Sequence, residues 1–304
     1  MRALVTGGAG FIGSNLVDAL VDAGHTVTVV DNLSSGKEAN LEQGLRQGVT
    51  FHQADVAELG PLREIFEQAR PELVFHLAAQ IDVRKSVSDP VFDARVNVGG
   101  TAAVLEASRS VQARRVLFSS TGGAMYGDAK VIPTPEDASI EPMAPYGTSK
   151  YAAETYLGLY ERLYGMSTIA LRFGNVFGPR QDPHGEAGVI AIYCGARKER
   201  RRGIVFGDGR QTRDYTYVGD IVSAALAAAD HDGTGAFNVG TGVETTVLEI
   251  AEKLGVETDF QPARTGEAQR SCLDVTKAAE VLGWRSKVEV EEGLERTLEW
   301  ALAE

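Results

Sequence analysis

The apolar run Leu4-Val5 breaks at Thr6 into Gly7-Gly8-Ala9-Gly10-Phe11-Ile12-Gly13, and no other feature of the chain restricts its fold as much. Gly7, Gly10 and Gly13 remove side chains where a backbone turn must approach a pyrophosphate and where the next helix must press on the strand. Phe11, Ile12, Leu16, Val17 and Leu20 recur at helical spacing, which sets the amides of Phe11 and Ile12 at the positive end of a helix dipole. Glycines also gather in ordinary turns between buried elements. What separates the two readings is a second strand, residues 25–30, ending in Asp31 at the distance of a ribose-binding acid. Strand, glycine turn, helix, strand and acid in that order predict a dinucleotide site. A carboxylate at Asp31 accepts ribose hydroxyls but repels a 2′-phosphate, so NAD is expected over NADP. Lys37 is the one nearby cation that could serve a phosphate instead.

Short β-branched runs at residues 49–53, 73–80, 115–120 and 167–173 alternate with helical stretches. That alternation predicts an α/β fold, a doubly wound parallel sheet of the Rossmann kind. Ligands of such sheets gather beyond the carboxyl ends of the strands, here Asp31, Asp55-Val56, Leu77-Ala78-Ala79-Gln80 and Ser119-Ser120-Thr121. After an irregular segment at 174–180 the alternation weakens. At 304 residues the chain exceeds a typical single domain. The expected division is a nucleotide-binding domain over 1–174 and a smaller C-terminal substrate-binding lobe over 175–304, with a strand near 236–240 returning to the main sheet.

A net charge of −12 argues against nucleic acid or an anionic membrane as the main partner. The basic cluster Arg197-Lys198-Glu199-Arg200-Arg201-Arg202 reads as a solvated helix end before a strand. No stretch approaches the ~20 apolar residues of a membrane span. Met1-Arg2 leads straight into a strand, which leaves no room for a signal peptide, so the cytoplasm is the expected compartment. Cys194 and Cys272 lack metal-ligand spacing and are expected as buried thiols, with no metal site.

Pro145-Tyr146-Gly147-Thr148-Ser149-Lys150 opens an amphipathic stretch in which Tyr146 and Lys150 stand four apart, on one helical face. An ammonium there favours the phenolate of a tyrosine and so makes a general base. Such pairs also occur by chance. Beside a dinucleotide turn and the hydroxyl-rich strand end at Ser119-Ser120-Thr121, the pair points to hydride transfer at a sugar or alcohol carbon.

On these residues the chain resembles a known family, the extended short-chain dehydrogenase/reductases. The matching positions are Gly7-x-x-Gly10-x-x-Gly13, Asp31-Asn32, Asp55-Val56, His76-Leu77-Ala78-Ala79-Gln80, Asn97 and Tyr146-x-x-x-Lys150. Further along are Arg172-Phe173-Gly174-Asn175-Val176-Phe177-Gly178-Pro179 and Arg213-Asp214-Tyr215-x-x-Val218-x-Asp220. Within the family the chain is most similar to the UDP-hexose 4-epimerases, which implies NAD as cofactor, UDP-glucose and UDP-galactose as substrates and a transient 4-keto sugar. The resemblance makes Tyr146 the base, Lys150 the group that orients the nicotinamide ribose and lowers the tyrosine pKa, and Thr121 the partner of the 4-hydroxyl. It places NAD against Gly7, Gly10, Phe11, Ile12, Gly13, Asp31, Asn32, Asp55, Val56, Leu77, Ala78, Ala79, Gln80, Asn97, Ser119, Tyr146 and Lys150. It places the UDP-sugar against Thr121, Tyr146, Asn175, Gly188, Val189, Phe206, Arg213, Tyr215, Arg264, Glu267 and Ser271, with Gly185-Glu186-Ala187 and Gly266 in the same diphosphate-holding segments. It also implies a homodimer paired through the helix after Lys150 and the one near 102–107.

Three departures refine that expectation. The segment Ser119 to Gly127 is one residue longer than the family pattern, which leaves Ser120 as the alternative to Thr121. Related dehydratases carry acids directly after this hydroxyl, whereas Gly122-Gly123 follow here, so dehydration is disfavoured. UDP-glucuronate 4-epimerases continue Gly178-Pro179-Arg180-Gln181 with arginine; Asp182 here favours a neutral hexose and keeps the glucuronate enzyme as the alternative. Ser271 aligns with a position where a bulky tyrosine excludes N-acetyl sugars, so the N-acetylated pair is also expected to react. A nucleotide-sensing protein that had lost catalysis is expected to lack the Tyr/Lys pair or the substrate arginines, and this chain keeps both.

Overall fold

A computed structural model describes residues 1–184, 188–263 and 268–303. The chain opens with β1 (Arg2–Thr6), the helix Phe11–Asp22, β2 (Thr26–Asp31) and β3 (Thr50–Gln53), followed by β4 (Leu73–His76), β5 (Arg115–Thr121) and β6 (Ser167–Phe173). Later strands are β7 (Asn175–Phe177), β8 (Gly203–Phe206), β9 (Thr212–Arg213), β10 (Tyr215–Tyr217), β11 (Gly235–Val239), β12 (Thr245–Thr246) and β13 (Thr258–Gln261).

Seven strands form the main sheet in the order β11-β6-β5-β4-β1-β2-β3. β1 runs parallel to β2 and β4, β2 to β3, and β4 to β5. The chain winds outward from β1 to β3 and then resumes on the other side of β1 with β4. That reversal opens a crevice at the carboxyl ends of β1 and β4, the usual ligand position in an open parallel sheet. Strands of such a sheet are covered on both faces, and Leu4, Val5, Val29, Val30 and Val74 are fully buried accordingly.

Two compact units can be traced in the chain. The first holds Met1–Thr121, Ala144–Leu171 and Ala225–Phe237; the second holds Gly122–Met143, Arg172–Ala224 and the residues from Asn238 on. Leu4, Leu62, Phe66, Val74, Val104 and Phe118 belong to the core of the first. Phe177, Ile190, Tyr193, Val205, Ile250 and Leu294 belong to that of the second, around small sheets pairing β7 with β10, β9 with β12 and β8 with β13.

Two local expectations change. The strand expected over 73–80 stops at His76, because the backbone beyond it closes under the glycine turn: the Leu77 amide donates to Thr6 O (3.1 Å) and the Ala78 amide to Thr6 Oγ1 (3.3 Å). The segment expected as irregular over 174–180 contains β7, since the Asn175 amide reaches Asp214 O at 2.7 Å and starts a parallel pairing with β10. The basic cluster lies where a helix ends at Lys198, and Arg202 bridges Glu257 and Asp259. Both cysteines are buried and free. Among the described residues no helix is long and apolar enough to cross a membrane, and no cluster of three or more metal-ligating side chains occurs.

Candidate functional site

The glycine turn is built for close approach. Gly7 sits at φ 70, where a Cβ would lie 2.6 Å from the Ala78 amide nitrogen, and a Cβ on Gly13 would lie 2.1 Å from Gly7 O. Any side chain at either position would fill the space between turn, helix and β4. The helix Phe11–Asp22 begins after Gly10, which has no side chain to cap it. Its first amides therefore stay available to an anion. Asp31, at the end of β2, accepts the Ala9 amide through Oδ2 (3.0 Å) and the Leu33 amide through Oδ1 (2.8 Å). Burial raises its pKa while those two amides pull it back. Asn32 donates to Asp55 Oδ2 at 3.1 Å, joining the ends of β2 and β3. Val56 is a core residue, packed so that a Cβ on Gly100 would touch it at 3.0 Å. The uncapped helix, the side-chain-free turn and the acid at the second strand end fit a dinucleotide.

Beyond β4, Asp89 caps the short helix Pro90–Ala94 by accepting the Phe92 amide, and Pro90 occupies its first turn. The helix widens into a π-turn, Arg95–Gly99, before continuing as Gly100–Ser110. Such insertions collect at functional sites because they re-aim one side chain. Here it is Asn97, whose Oδ1 accepts the Gln80 amide (2.8 Å) and whose Nδ2 donates to Gln80 O (2.9 Å) and Asp93 Oδ1 (3.1 Å). Gln80 Nε2 also donates to Asp93 Oδ1 at 2.8 Å.

Pro145 starts the long helix Pro145–Tyr164, which ends at Gly165 with φ 64. Tyr146 and Lys150 stand on its first turns. The Tyr146 side chain is hydrogen-bonded to Thr121, the last residue of β5. Lys150 Nζ donates to Ser119 O at 2.9 Å and lies 6.0 Å from the centre of the Tyr146 ring. Ser119 and Thr121 share one face of β5, as the two-residue period of a strand requires. Ser120 faces the other way, and its buried hydroxyl has no hydrogen-bond partner among the described residues. Burial pushes Tyr146 up to about 12, assisted by Asp93 and opposed by the Thr121 hydrogen bond. Burial draws Lys150 down to about 7, against the pull of Asp93 and Glu154. His76, between Thr6 (2.7 Å) and Thr101 (3.0 Å), is held near 3 by burial and by the Lys150 charge, so the imidazole beside the lysine is neutral.

In the second unit, pairing of β7 with β10 sets Asn175 opposite Tyr215. Arg213 lies on β9, Phe206 ends β8, and Gly188 precedes the helix Val189–Lys198 without a side-chain cap. Ser271 is partly exposed between Arg270, which pairs with Glu244, and the buried Cys272. Asp214 Oδ1 accepts Thr241 N and Oγ1 (2.7 Å each), and its Oδ2 accepts Gly242 N (3.1 Å) and Leu273 N (3.3 Å). Asp220 accepts Ser286 Oγ, Lys287 N and Val288 N. Arg264, Gly266 and Glu267, and Gly185 to Ala187, lie outside the described residues.

Sequence reasoning missed Asp93, Ser149 and Ser86. Ser149 donates to Asp93 Oδ2, and Ser86 Oγ accepts the Tyr146 amide at 3.2 Å. The available signal was the spacing of Asp93 and Asn97, four apart on one helical face behind an Asp-Pro start.

Residues 4–297 match the family model described as GDP-mannose 4,6 dehydratase. A UDP-glucose 4-epimerase of Mycolicibacterium smegmatis is 47% identical over 308 residues, covering 99% of this chain and 98% of that protein. The crystal structure of a UDP-glucose 4-epimerase with UDP-glucose from Thermotoga maritima superposes with a TM-score of 0.94 at 46% identity, covering 99% of this chain and 98% of that one. A Thermus thermophilus UDP-glucose 4-epimerase in complex with NAD gives 0.92 at 40% identity, over 99% of both chains.

Proposed function

The chain belongs to the GDP-mannose 4,6 dehydratase family of extended short-chain dehydrogenase/reductases, and from that premise we propose that it is an NAD-dependent UDP-hexose 4-epimerase interconverting UDP-glucose and UDP-galactose. The observation that carries this reading is the hydrogen-bonded Thr121–Tyr146 pair, with Lys150 anchored on Ser119 O beside it, in a unit whose first turn is a dinucleotide cradle. Gly122 and Gly123 stand where a dehydratase of this family carries acids, which favours epimerisation.

The residues divide the work. Gly7, Gly10, Phe11, Ile12 and Gly13 receive the pyrophosphate, and Asp31 with Asn32 the adenosine ribose. Asp55, Val56, Leu77 to Gln80, Asn97 and Ser119 line the rest of the cofactor's course. Bound NAD supplies the acceptor, and then the donor, of the hydrogen exchanged at C4 of the hexose. Thr121 orients the 4-hydroxyl and Tyr146 takes its proton, later returning it to the 4-oxygen once the keto sugar has turned over. Lys150, as an ammonium, offsets the phenolate charge that Tyr146 gains. Arg213 and Arg264 hold the diphosphate while the 4-keto sugar turns over, with Asn175, Gly188, Val189, Phe206, Tyr215, Glu267 and Ser271 around the nucleotide sugar. The cycle has no net redox change.

The exposed stripe Tyr156, Leu159 and Leu163 on the Pro145–Tyr164 helix supports a homodimer, and the cytoplasm is the compartment that goes with this reading. Ser271 leaves room for an acetamido group, so UDP-N-acetylglucosamine is a second substrate, and Ser271→Tyr should suppress that reaction while sparing UDP-galactose. The test is to incubate purified protein, without added NAD, with UDP-glucose, UDP-galactose, UDP-N-acetylglucosamine and UDP-glucuronate, and to resolve the epimers. Conversion of the neutral sugars, with NAD released on denaturation, is expected. Conversion of the glucuronate alone would replace the substrate, and a requirement for stoichiometric added NAD would refute the reading.

A further inference from the structure

Asp93 is 1% exposed, and the mechanism above gives it no task. Buried carboxylates are rare because water must be stripped from the charge, and they persist where donors replace that water. Asp93 has three such donors from three places in the chain: Gln80 beyond β4, Asn97 in the π-turn and Ser149 on the catalytic helix, immediately before Lys150. These bonds leave the carboxylate little freedom. The helix Pro90–Ala94 thereby carries a fixed negative charge to the first turns of Pro145–Tyr164.

We propose that Asp93 is a positioning residue for proton transfer, its immobilised carboxylate holding a negative charge against the helix turns that carry Tyr146 and Lys150. The proposal rests on the reading of Tyr146 and Lys150 as the proton-transfer pair. Asp93 makes the phenolate harder to form and the ammonium easier to keep. Glu154, on the same helix as the pair, adds to the hold on Lys150. Other charges nearby are spent elsewhere. His76 on β4 is neutral; Arg84 pairs with Asp82, Lys85 lies over the Phe92 ring, and Arg95 pairs with Glu58. Glu106 and Arg109, on the helix Gly100–Ser110, pair with each other. Burial draws the lysine toward its neutral form, and the Asp93 charge opposes that.

The cluster allows the charge to be deleted without breaking the bonds. Ser149 has one hydroxyl proton and two acceptors, Asp93 Oδ2 and Pro145 O at 2.8 Å. In Asp93→Asn the new amide can donate to Ser149 Oγ while the serine proton goes to Pro145 O, and the remaining oxygen still accepts from Gln80 and Asn97.

The experiment is the pH dependence of kcat for UDP-galactose epimerisation by holoenzyme, comparing wild type, Asp93→Asn and Asp93→Ser. The two limbs report the ionisations of the coupled pair. Removing a negative charge lowers both pKa values, so both limbs should move to lower pH, by about one unit. Asp93→Ser deletes the same charge with no amide to misplace and should move them likewise. A profile that falls in height with both limbs fixed in the two variants, or whose limbs move in opposite directions, overturns the proposal. If wild type is inactive, or Tyr146→Phe keeps its activity, the reading of the pair fails instead, and the two failures are told apart.

Discussion

Asp93 in the first unit and Asp214 in the second are both about 99% buried and both accept several hydrogen bonds, yet their donors differ in kind. Asp93 is held by the side chains of Gln80, Asn97 and Ser149, and two ionisable groups feel its charge. Asp214 is held by the backbone amides of Thr241, Gly242 and Leu273 as well as by the hydroxyls of Thr241 and Thr216, and a Cβ on Gly240 would lie 2.4 Å from its Oδ2. Side-chain donors can turn, and backbone amides cannot without moving the chain. A carboxylate held by side chains alone leaves the backbone free, whereas one that also takes three backbone N–H groups fixes the course of the chain around it. Asp214 fixes the course of residues 240–242 and 271–273, and with it Ser271.

The largest expected effect tests the first unit. Tyr146→Phe should lower turnover of UDP-galactose by about 10²- to 10⁴-fold, the usual cost of losing a general base, with an unchanged circular dichroism spectrum. Near-normal turnover would leave Asp93 with nothing to tune and collapse the comparison.

Next comes a gain in stability. The cofactor-free chain buries Lys150 and draws it from its ordinary 10.5 to about 7. Between those values the unfolded chain holds a proton that the folded chain has released, so the lysine's cost falls as pH rises through that window. Lys150→Met should therefore stabilise the cofactor-free protein at pH 7 by on the order of a few kcal/mol, read as a higher melting temperature, with the advantage shrinking toward pH 10. An equal advantage at both pH values would show that packing, not charge, is responsible.

Asp214→Asn sharpens the contrast. An amide cannot accept at both ends, so at least one backbone N–H at Thr241, Gly242 or Leu273 loses its acceptor, at about 1–3 kcal/mol. The melting temperature should fall while the pH limbs of kcat stay in place. Limbs that shift would make Asp214 an electrostatic residue like Asp93.

The smallest effect separates two adjacent hydroxyls. Thr121→Val removes the hydrogen bond to Tyr146 and should slow turnover by roughly tenfold, the worth of about one bond. Ser120→Ala removes a hydroxyl that has no partner among the described residues and should leave turnover unchanged and stability equal or slightly higher. The reverse pattern, measured as kcat on UDP-galactose, would move the catalytic hydroxyl to Ser120.

What could be read from the chain alone was whatever is local. The turn at Gly7 to Gly13, Asp31 at a strand end and the face shared by Tyr146 and Lys150 are each set within a few residues, where glycine conformation and helical period leave little choice. The end of β4 falls earlier than expected because Leu77-Ala78-Ala79 continues the apolar run of the strand, while the approach of Gly7 to Ala78 turns it out of the sheet. Asp93 escaped notice because an acid in Asp-Pro-Val-Phe-Asp reads as solvent-facing. Its burial depends on Gln80, Asn97 and Ser149, which come together only in the folded chain.

The interleaving of the two units bears on how the protein is made. The chain crosses from one to the other after Thr121, Met143, Leu171, Ala224 and Phe237. Nascent proteins commonly complete one domain on the ribosome before the next emerges. That order is delayed in this chain: a polypeptide stopped before Gly235 still lacks an edge strand of the main sheet, and the first unit is complete only at Phe237, after two segments of the second have been made. Each unit is assembled from three alternating stretches of chain, so no single cut in the gene yields two fragments that are each a whole unit.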